Sequence, residues 1–290
     1  MISIIIPTFN NIDYLKLCIS SLEKNSYFSN QILVHVNEGI DGTIDFLKQK
    51  KINYTHSTSN IGLCKACNMI SKKSTLNHIL YAHDDMYFLP NWDLILMNRT
   101  KEIGHNKFYL SSIMINGDPN LNGHLNLHAG DNFKNFDENF LLNNYQNLKH
   151  NDFQGSTWAP HLIHKELWEK VGGFSEEFSP GAGSDPDLNM KLWNEGVRIF
   201  QCLGESKVYH FGSITIRKKN DSFFEKNQGS KANKIFLLKW GISIKTFKKF
   251  YLKSHYLHNE ELNKPKKNYS YYLSLLKDNI SRIYYRLIKF

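Results

Sequence analysis

The stretch Tyr81-Ala82-His83-Asp84-Asp85-Met86-Tyr87-Phe88-Leu89-Pro90 runs from apolar residues into two adjacent carboxylates. Ile79, Leu80, Tyr81 and Ala82 read as the end of a buried strand. Neighbouring Asp side chains repel each other and lose hydration unless a positive group sits beside them. At the carboxyl end of a strand in an open α/β sheet, that group is commonly a ligand or a cation. A turn with a helix N-cap accounts for the same residues, because Asp favours both places. The pair alone leaves both readings open.

Upstream of it, strand patterns alternate with helical ones. Residues 2–7 form a continuous apolar run, as in a parallel strand covered on both faces. Polar Thr8-Phe9-Asn10-Asn11 follows, and then Leu15, Leu17, Cys18, Ile19 and Leu22 recur at helical spacing. Residues 32–36 predict a second strand, which runs into the polar loop Asn37-Glu38-Gly39-Ile40-Asp41-Gly42-Thr43. Ile44, Phe46 and Leu47 open another helix, residues 52–56 predict a third strand, and residues 60–70 open a third helix. Residues 78–82 complete a fourth strand. The alternation predicts an α/β fold, a Rossmann-like, mostly parallel sheet flanked by helices, with ligand loops after its strands. No G-x-G-x-x-G and no G-x-x-x-x-G-K-[ST] occurs, which argues against a dinucleotide or P-loop site.

Downstream, residues 108–114 predict another strand. Residues 116–150 are rich in Asn, Asp, Gly and His, and read as a loop with a short helix over 136–148. Such a segment is either a substrate-side loop or a mobile excursion. Residues 155–163 are strand-like and include Trp158, and residues 165–171 form a short helix stopped by Gly172-Gly173. The Gly-rich loop Gly181-Ala182-Gly183-Ser184-Asp185-Pro186-Asp187 leads into a helix. Asp185 precedes a proline, which biases it to extended backbone, at the helix N-terminus or as its cap. Residues 197–200 and 208–213 predict two further strands, the second with His210 at its polar end.

The charge is uneven. Residues 214–290 carry 18 Lys+Arg against 5 Asp+Glu, and the first 213 carry 18 against 22. A mildly acidic body with a basic tail argues against nucleic acid and for a tail that meets an anionic surface. The tail's last helical pattern interleaves Tyr271, Tyr272, Leu275, Leu276, Ile280, Ile283, Tyr284, Leu287 and Ile288 with Lys277, Arg282, Arg286 and Lys289. This suits an anionic membrane surface or packing on the protein itself. Cys64 and Cys67 form a C-x-x-C within a helical pattern, with no second pair at metal spacing, so buried thiols are expected. Reduced thiols and the lack of a basic leader make the cytoplasm the expected place, with a position peripheral at the membrane left open by the tail, and no 18-residue apolar run predicts a transmembrane helix.

Several motifs, taken in order, resemble the inverting family 2 glycosyltransferases of the GT-A fold. The opening Ile4-Ile5-Ile6-Pro7-Thr8-Phe9-Asn10 is similar to their first strand and nucleotide loop. Asn37-Glu38-Gly39 with Asp41-Gly42-Thr43 resembles their acidic loop, one residue shorter. Asn60-x-Gly62 with Ala66 and Asn68 resembles their N-x-G-x-x-x-A-R-N helix start, with Cys67 in place of Arg. His83-Asp84-Asp85 stands where they keep D-x-D, and Gly172-Gly173-Phe174 before Ser184-Asp185-Pro186-Asp187 resembles their GGF and E-D-x-D. His210 stands at their metal-binding histidine. The resemblance implies a GT-A catalytic domain over residues 1–215, with a nucleotide-sugar half at 1–115 and an acceptor half at 116–215. A basic helical extension then covers 216–290.

It also implies a chemistry. Departure of a nucleoside diphosphate calls for a hard divalent cation, Mn²⁺ or Mg²⁺. Asp85 and His210 would be its ligands, with the imidazole leaning toward Mn²⁺. Pro7, Thr8, Asn10, Glu38, Asn60, Gly62, Asp84 and Asp85 would form the nucleotide site, and a base-reading carboxylate, Glu38, with Asn37 as the fallback in the shortened loop, favours a UDP-sugar. Asp185 would be the general base toward a glycan or lipid-linked acceptor, with Asp187 as the alternative. Trp158 and Ser184 would face that acceptor, although Trp158 equally suits the core. Two rivals remain. One is a sugar nucleotidylyltransferase, which should show a Gly-rich basic loop after the first strand. The other is a non-catalytic glycan- or membrane-binding protein, for which the departures at His83 and Ser184 speak.

Overall fold

The first strand, β1 (Ser3–Phe9), lies inside a mixed, mostly parallel sheet of ten strands among the described residues. The structure, a computed structural model, describes residues 1–117, 124–212 and 222–287. In chain order the next elements are α1 (Ile12–Asn25), β2 (Gln31–Asn37), α2 (Thr43–Gln49), β3 (Asn53–Ser57), α3 (Leu63–Ser71), β4 (His78–Tyr81) and β5 (Met86–Phe88). Then come α4 (Trp92–Ile103), β6 (Phe108–Asn116), β7 (Leu125–Asn126), α5 (Glu138–Asn144), β8 (Phe153–Gln154), β9 (His161–His164), α6 (Lys165–Lys170), α7 (Ser184–Asn194) and β10 (Ile199–His210).

The main path through the sheet is β3-β2-β1-β4-β9-β6-β10-β5. β3, β2, β1 and β4 pair in parallel. β9 is antiparallel to both β4 and β6, and β10 runs parallel to β6. The carboxyl ends of β1, β2, β4, β6 and β10 therefore open on one side, where such sheets bind ligands. Ile4, Ile5, Ile6, Leu33, Val34, Leu80 and Leu110 have no exposed surface, consistent with strands covered on both faces.

Three expectations are corrected, and two elements are added. Residues 155–163 are not one strand: only His161–His164 pairs, because Gly155 at φ +92 bends the chain. A Cβ on Gly155 would stand 2.7 Å from the Leu252 carbonyl, so the extension packs there against backbone. Residues 197–200 and 208–213 do not form two strands. Ile199-Phe200 and Val208–His210 belong to the single β10, whose register against β6 shifts between Leu203 and Lys207, while residues 197–198 and 211–212 lie outside the strand and Ser213 outside the described residues. β5 and α4 were not anticipated, since a three-residue strand after a turn has no period to read. Finally, Asp185 is not extended: it occupies the first turn of α7, after Gly183 in the left-handed region. Proline is tolerated in a first turn, where its missing N–H is no loss, so Pro186 does not push Asp185 out of the helix.

The boundary expected at residue 215 falls outside the described residues. The basic tail forms the helix Ser222–Trp240, a short helical turn over Ile244–Thr246 that continues into Phe247–Tyr251, and the helix Tyr269–Leu287. Phe236, Phe247, Leu252 and Leu262 are fully buried and share the main core with the sheet. Among the described residues, no helix is long and apolar enough to cross a membrane. All four cysteines are free and buried, as expected of helix and strand thiols.

Candidate active site

β4 ends at Tyr81, and Ala82 still donates its N–H to Ile5 of β1. His83, Asp84 and Asp85 then turn the chain into β5. β5 pairs antiparallel with the end of β10, with Met86 opposite His210, and the Phe211 N–H donates to the Asp85 carbonyl at 3.2 Å. This register, not sequence proximity, brings His210 to the acidic turn. His210 Nε2 lies 3.3 Å from Asp85 Oδ1, and His83 Nδ1 lies 3.5 Å from His210 Nε2 and 3.9 Å from Asp85 Oδ1. Among the described residues, these three side chains form the one His/Cys/Asp/Glu group with metal-ligand spacing. Burial pushes the His83 imidazole down to about 4, against the pull of the Asp85 carboxylate. A neutral imidazole is the form that ligates a cation. Asp84 is nearly buried and accepts a 2.7 Å hydrogen bond from the Thr8 hydroxyl of β1.

The loops after β1, β2 and β3 interlock beside this turn. Asn10 and Glu38 both take positive φ, 47° and 61°. The Asn10 amide donates to Glu38 Oε2 at 3.1 Å, and its Oδ1 accepts the N–H groups of Gly39 and Ile40. Asp41 accepts the Ile12 N–H at the start of α1. Asn37 Oδ1 accepts from Ile61, and Asn60 Oδ1 accepts from Gly62. Pro7 sits in β1 opposite His35 of β2. Asn68 of α3 clamps the Gly172-Gly173-Phe174 turn, giving its Nδ2–H to the Phe174 carbonyl and accepting the Phe174 N–H. A Cβ on Gly173 would collide with Asn68 Oδ1, so only glycine fits between them.

Asp185 is joined to the His/Asp turn through aromatic rings. The Tyr81 ring lies 5.3 Å from that of His83 and 5.2 Å from that of His161, centre to centre. His161 Nδ1 is 2.9 Å from the Tyr109 hydroxyl and 3.9 Å from Asp185 Oδ1. The Asp185 side chain keeps 27% of its exposure, but Oδ1 is occluded and has no hydrogen-bond partner, and neither has His161 Nε2. Burial pushes the Asp185 carboxyl up to about 7, with the Lys248 ammonium opposing. Burial also lowers the Lys248 amine, which Asp185 partly restores.

The neighbouring candidates are held differently. Asp187 has no exposed surface. It accepts from Trp240 Nε1 at 2.8 Å and from the Ser175 hydroxyl, and pairs with Lys239 at 2.9 Å. Ser184 is buried, and its hydroxyl donates to the Gly181 carbonyl at 2.7 Å, closing the turn before α7. Trp158 is half-buried between Phe153 and His124, with both ring centres 5.8 Å away.

The family profile described as glycosyl transferase family 2 matches residues 3–167, more than half of the chain. The chain belongs to glycosyl transferase family 2. The match spans both the interlocked loops and the acidic turn, and stops before Asp185 and His210. Solved structures of TarS from S. aureus share the GT-A architecture of this family 2 chain. One TarS 1–349 structure is 14% identical with a TM-score of 0.54, covering 98% of this chain and 81% of that one. A second, in complex with UDP, is 14% identical with a TM-score of 0.53, covering 85% and 73%. A third, in complex with UDP-GlcNAc, is 15% identical with a TM-score of 0.50, covering 85% and 74%. At this identity the likeness establishes the fold. No curated protein matches the family 2 chain.

Sequence reasoning missed two residues here. His161 carried no signal beyond being polar in an apolar strand pattern. Lys248 lay in a lysine-rich tail read only for its net charge.

Proposed function

We propose that the chain is an inverting, cation-dependent glycosyltransferase that moves a sugar from a UDP-sugar to a hydroxyl of a glycan or lipid-linked glycan. The observation that carries this reading is Asp185. It is a carboxylate held up to about 7, with an unpartnered oxygen, linked through His161 and Tyr81 to the His/Asp turn. A general base works best when its pKa lies near the working pH. Asp185 would take the proton of the acceptor hydroxyl as that oxygen attacks the anomeric carbon. The bond to the diphosphate breaks on the opposite face, so the configuration inverts. Asp187 is assigned to anchoring the Ser222–Trp240 helix, because its oxygens are already committed. Ser184 is assigned to the turn that presents Asp185.

A divalent cation at Asp85 and His210 would neutralise the charge on the leaving diphosphate. Thr8 fixes Asp84 beside it. Asn10 orients Glu38 for the uracil imide, and the loop of Asn60 and Gly62 closes the nucleotide floor. UDP is preferred on this placement of Glu38 and on the TarS complexes with UDP and UDP-GlcNAc. Trp158 would offer a half-open ring to the acceptor sugar. The product of transfer from an α-linked UDP-sugar should be a β-glycoside by the anomeric proton coupling in NMR. An α-glycoside would refute inversion and the base role together.

An anionic membrane surface is the proposed partner of the Tyr269–Leu287 helix. One face of that helix packs inward: Asp278 accepts the Ser243 N–H, and the Ser274 and Thr246 hydroxyls meet at 3.0 Å. The other face presents Tyr269, Tyr272, Leu276, Ile280, Ile283 and Leu287 at three- and four-residue spacing, each more than half exposed. Lys277 and Arg286 are exposed on the same helix. Apolar and aromatic residues in a row with basic flanks suit the headgroup layer of an anionic bilayer. The double variant Leu276→Glu/Ile280→Glu should lose roughly tenfold or more in affinity for phosphatidylserine vesicles in a sedimentation assay. Undiminished sedimentation would leave the stripe to a protein partner.

A further inference from the structure

We infer that His83 is a third protein ligand, so that the cation site is a two-histidine, one-carboxylate centre that selects a borderline first-row ion over Mg²⁺. This rests on the proposed cation role of Asp85 and His210 and sharpens it. The position of His83 is where relatives are expected to keep a carboxylate, and the structure turns its imidazole into the same space. Asp85 Oδ1, His210 Nε2 and His83 Nδ1 form a triangle with sides of 3.3, 3.5 and 3.9 Å. The nearest point equidistant from the three atoms, in their plane, lies about 2.1 Å from each, which is the bond length from a first-row divalent ion to imidazole or carboxylate. Three donor atoms on two different strand ends thus enclose a space of ionic size without any rearrangement.

The donor set decides the ion. Mg²⁺ prefers an octahedron of oxygens and gives up water reluctantly. Imidazole favours the later, softer divalent ions, and affinity rises from Mn²⁺ through Fe²⁺ to Co²⁺. Exchanging a carboxylate for an imidazole also removes one negative charge, which weakens the hold on Mg²⁺ most. His210 alone leans the choice; His83 makes nitrogen the majority donor.

The test uses the full chain and metal alone. Equilibrium dialysis against Co²⁺, Mn²⁺ and Mg²⁺ is run on the wild type, His83→Ala, His83→Asp and Asp85→Ala, with visible absorption of the Co²⁺ forms. The wild type should hold Co²⁺ and Mn²⁺ at least about tenfold more tightly than Mg²⁺. His83→Ala should weaken Co²⁺ by roughly a hundredfold and shift its absorption bands. His83→Asp should bind Mg²⁺ better than the wild type does, and it decides the question if the alanine variant is unfolded by circular dichroism. Wild-type Co²⁺ affinity and bands in His83→Ala would overturn the inference while leaving a site on Asp85 and His210. Wild-type protein that takes up none of the three ions would overturn that site as well.

Discussion

Replacing Asp85 by alanine is expected to lower sugar transfer by roughly a hundred- to ten-thousandfold. That range corresponds to the several kcal/mol by which a cation stabilises a leaving diphosphate. Asp85 is the only carboxylate of the His/Asp group among the described residues, so its loss leaves only the two imidazoles. Fold is not expected to suffer. Asp85 meets its neighbours through the backbone as well, with its carbonyl accepting from Phe211, and that pairing survives the substitution. Initial rates with a UDP-sugar, measured beside the thermal midpoint, check this. Wild-type turnover in Asp85→Ala, or in wild type with excess chelator, would end the cation role.

The second large effect is at Asp185. Asp185→Asn should retain UDP binding and lose roughly a hundred- to ten-thousandfold in kcat, the usual contribution of a positioned base. The base acts only when ionised. In the wild type kcat should therefore fall as pH drops through about 7, where burial has pushed the Asp185 carboxyl. Lys248 holds that value down, so Lys248→Gln should move the limb to higher pH and leave UDP affinity alone.

Stability follows with the opposite sense. A carboxyl raised by folding holds its proton in the native state when the unfolded chain has already lost it. Its contribution is most favourable below the ordinary value of 3.8 and is lost as pH rises to about 7. Asp185→Asn removes that cost, so its thermal midpoint at pH 7.5 should equal or exceed the wild type's. A variant that loses UDP binding and melts early would make Asp185 a structural residue.

Much of the fold was legible because the signals were local. The apolar run before Pro7, the run before His83 and the polar loops behind them each carry a strand-and-loop pattern within a few residues. The acidic turn, Asn10, Glu38 and the glycines at 172–173 could be found in the same way. The rest depended on partners far along the chain. Met86-Tyr87-Phe88 is a strand only because β10 lies against it, and that pairing is what delivers His210. His83 read as a missing carboxylate, because its approach to His210 is set by that same register. Asp187 reads as the alternative base in a loop of similar residues, yet about half a turn of helix beyond Asp185 points it at Trp240 and Lys239. Pro186 suggested extended backbone, and the first-turn exception decided otherwise.

On the reading proposed above, the acidic turn and the loops beside it form a cation-dependent UDP site. Calorimetric titration of UDP into the wild-type chain, with Mn²⁺ and then with chelator, tests it most directly. UDP should bind in Mn²⁺ and weaken at least about tenfold in chelator, since the diphosphate then faces Asp84 and Asp85 without a counter-charge. Equal UDP affinity in both conditions would contradict it.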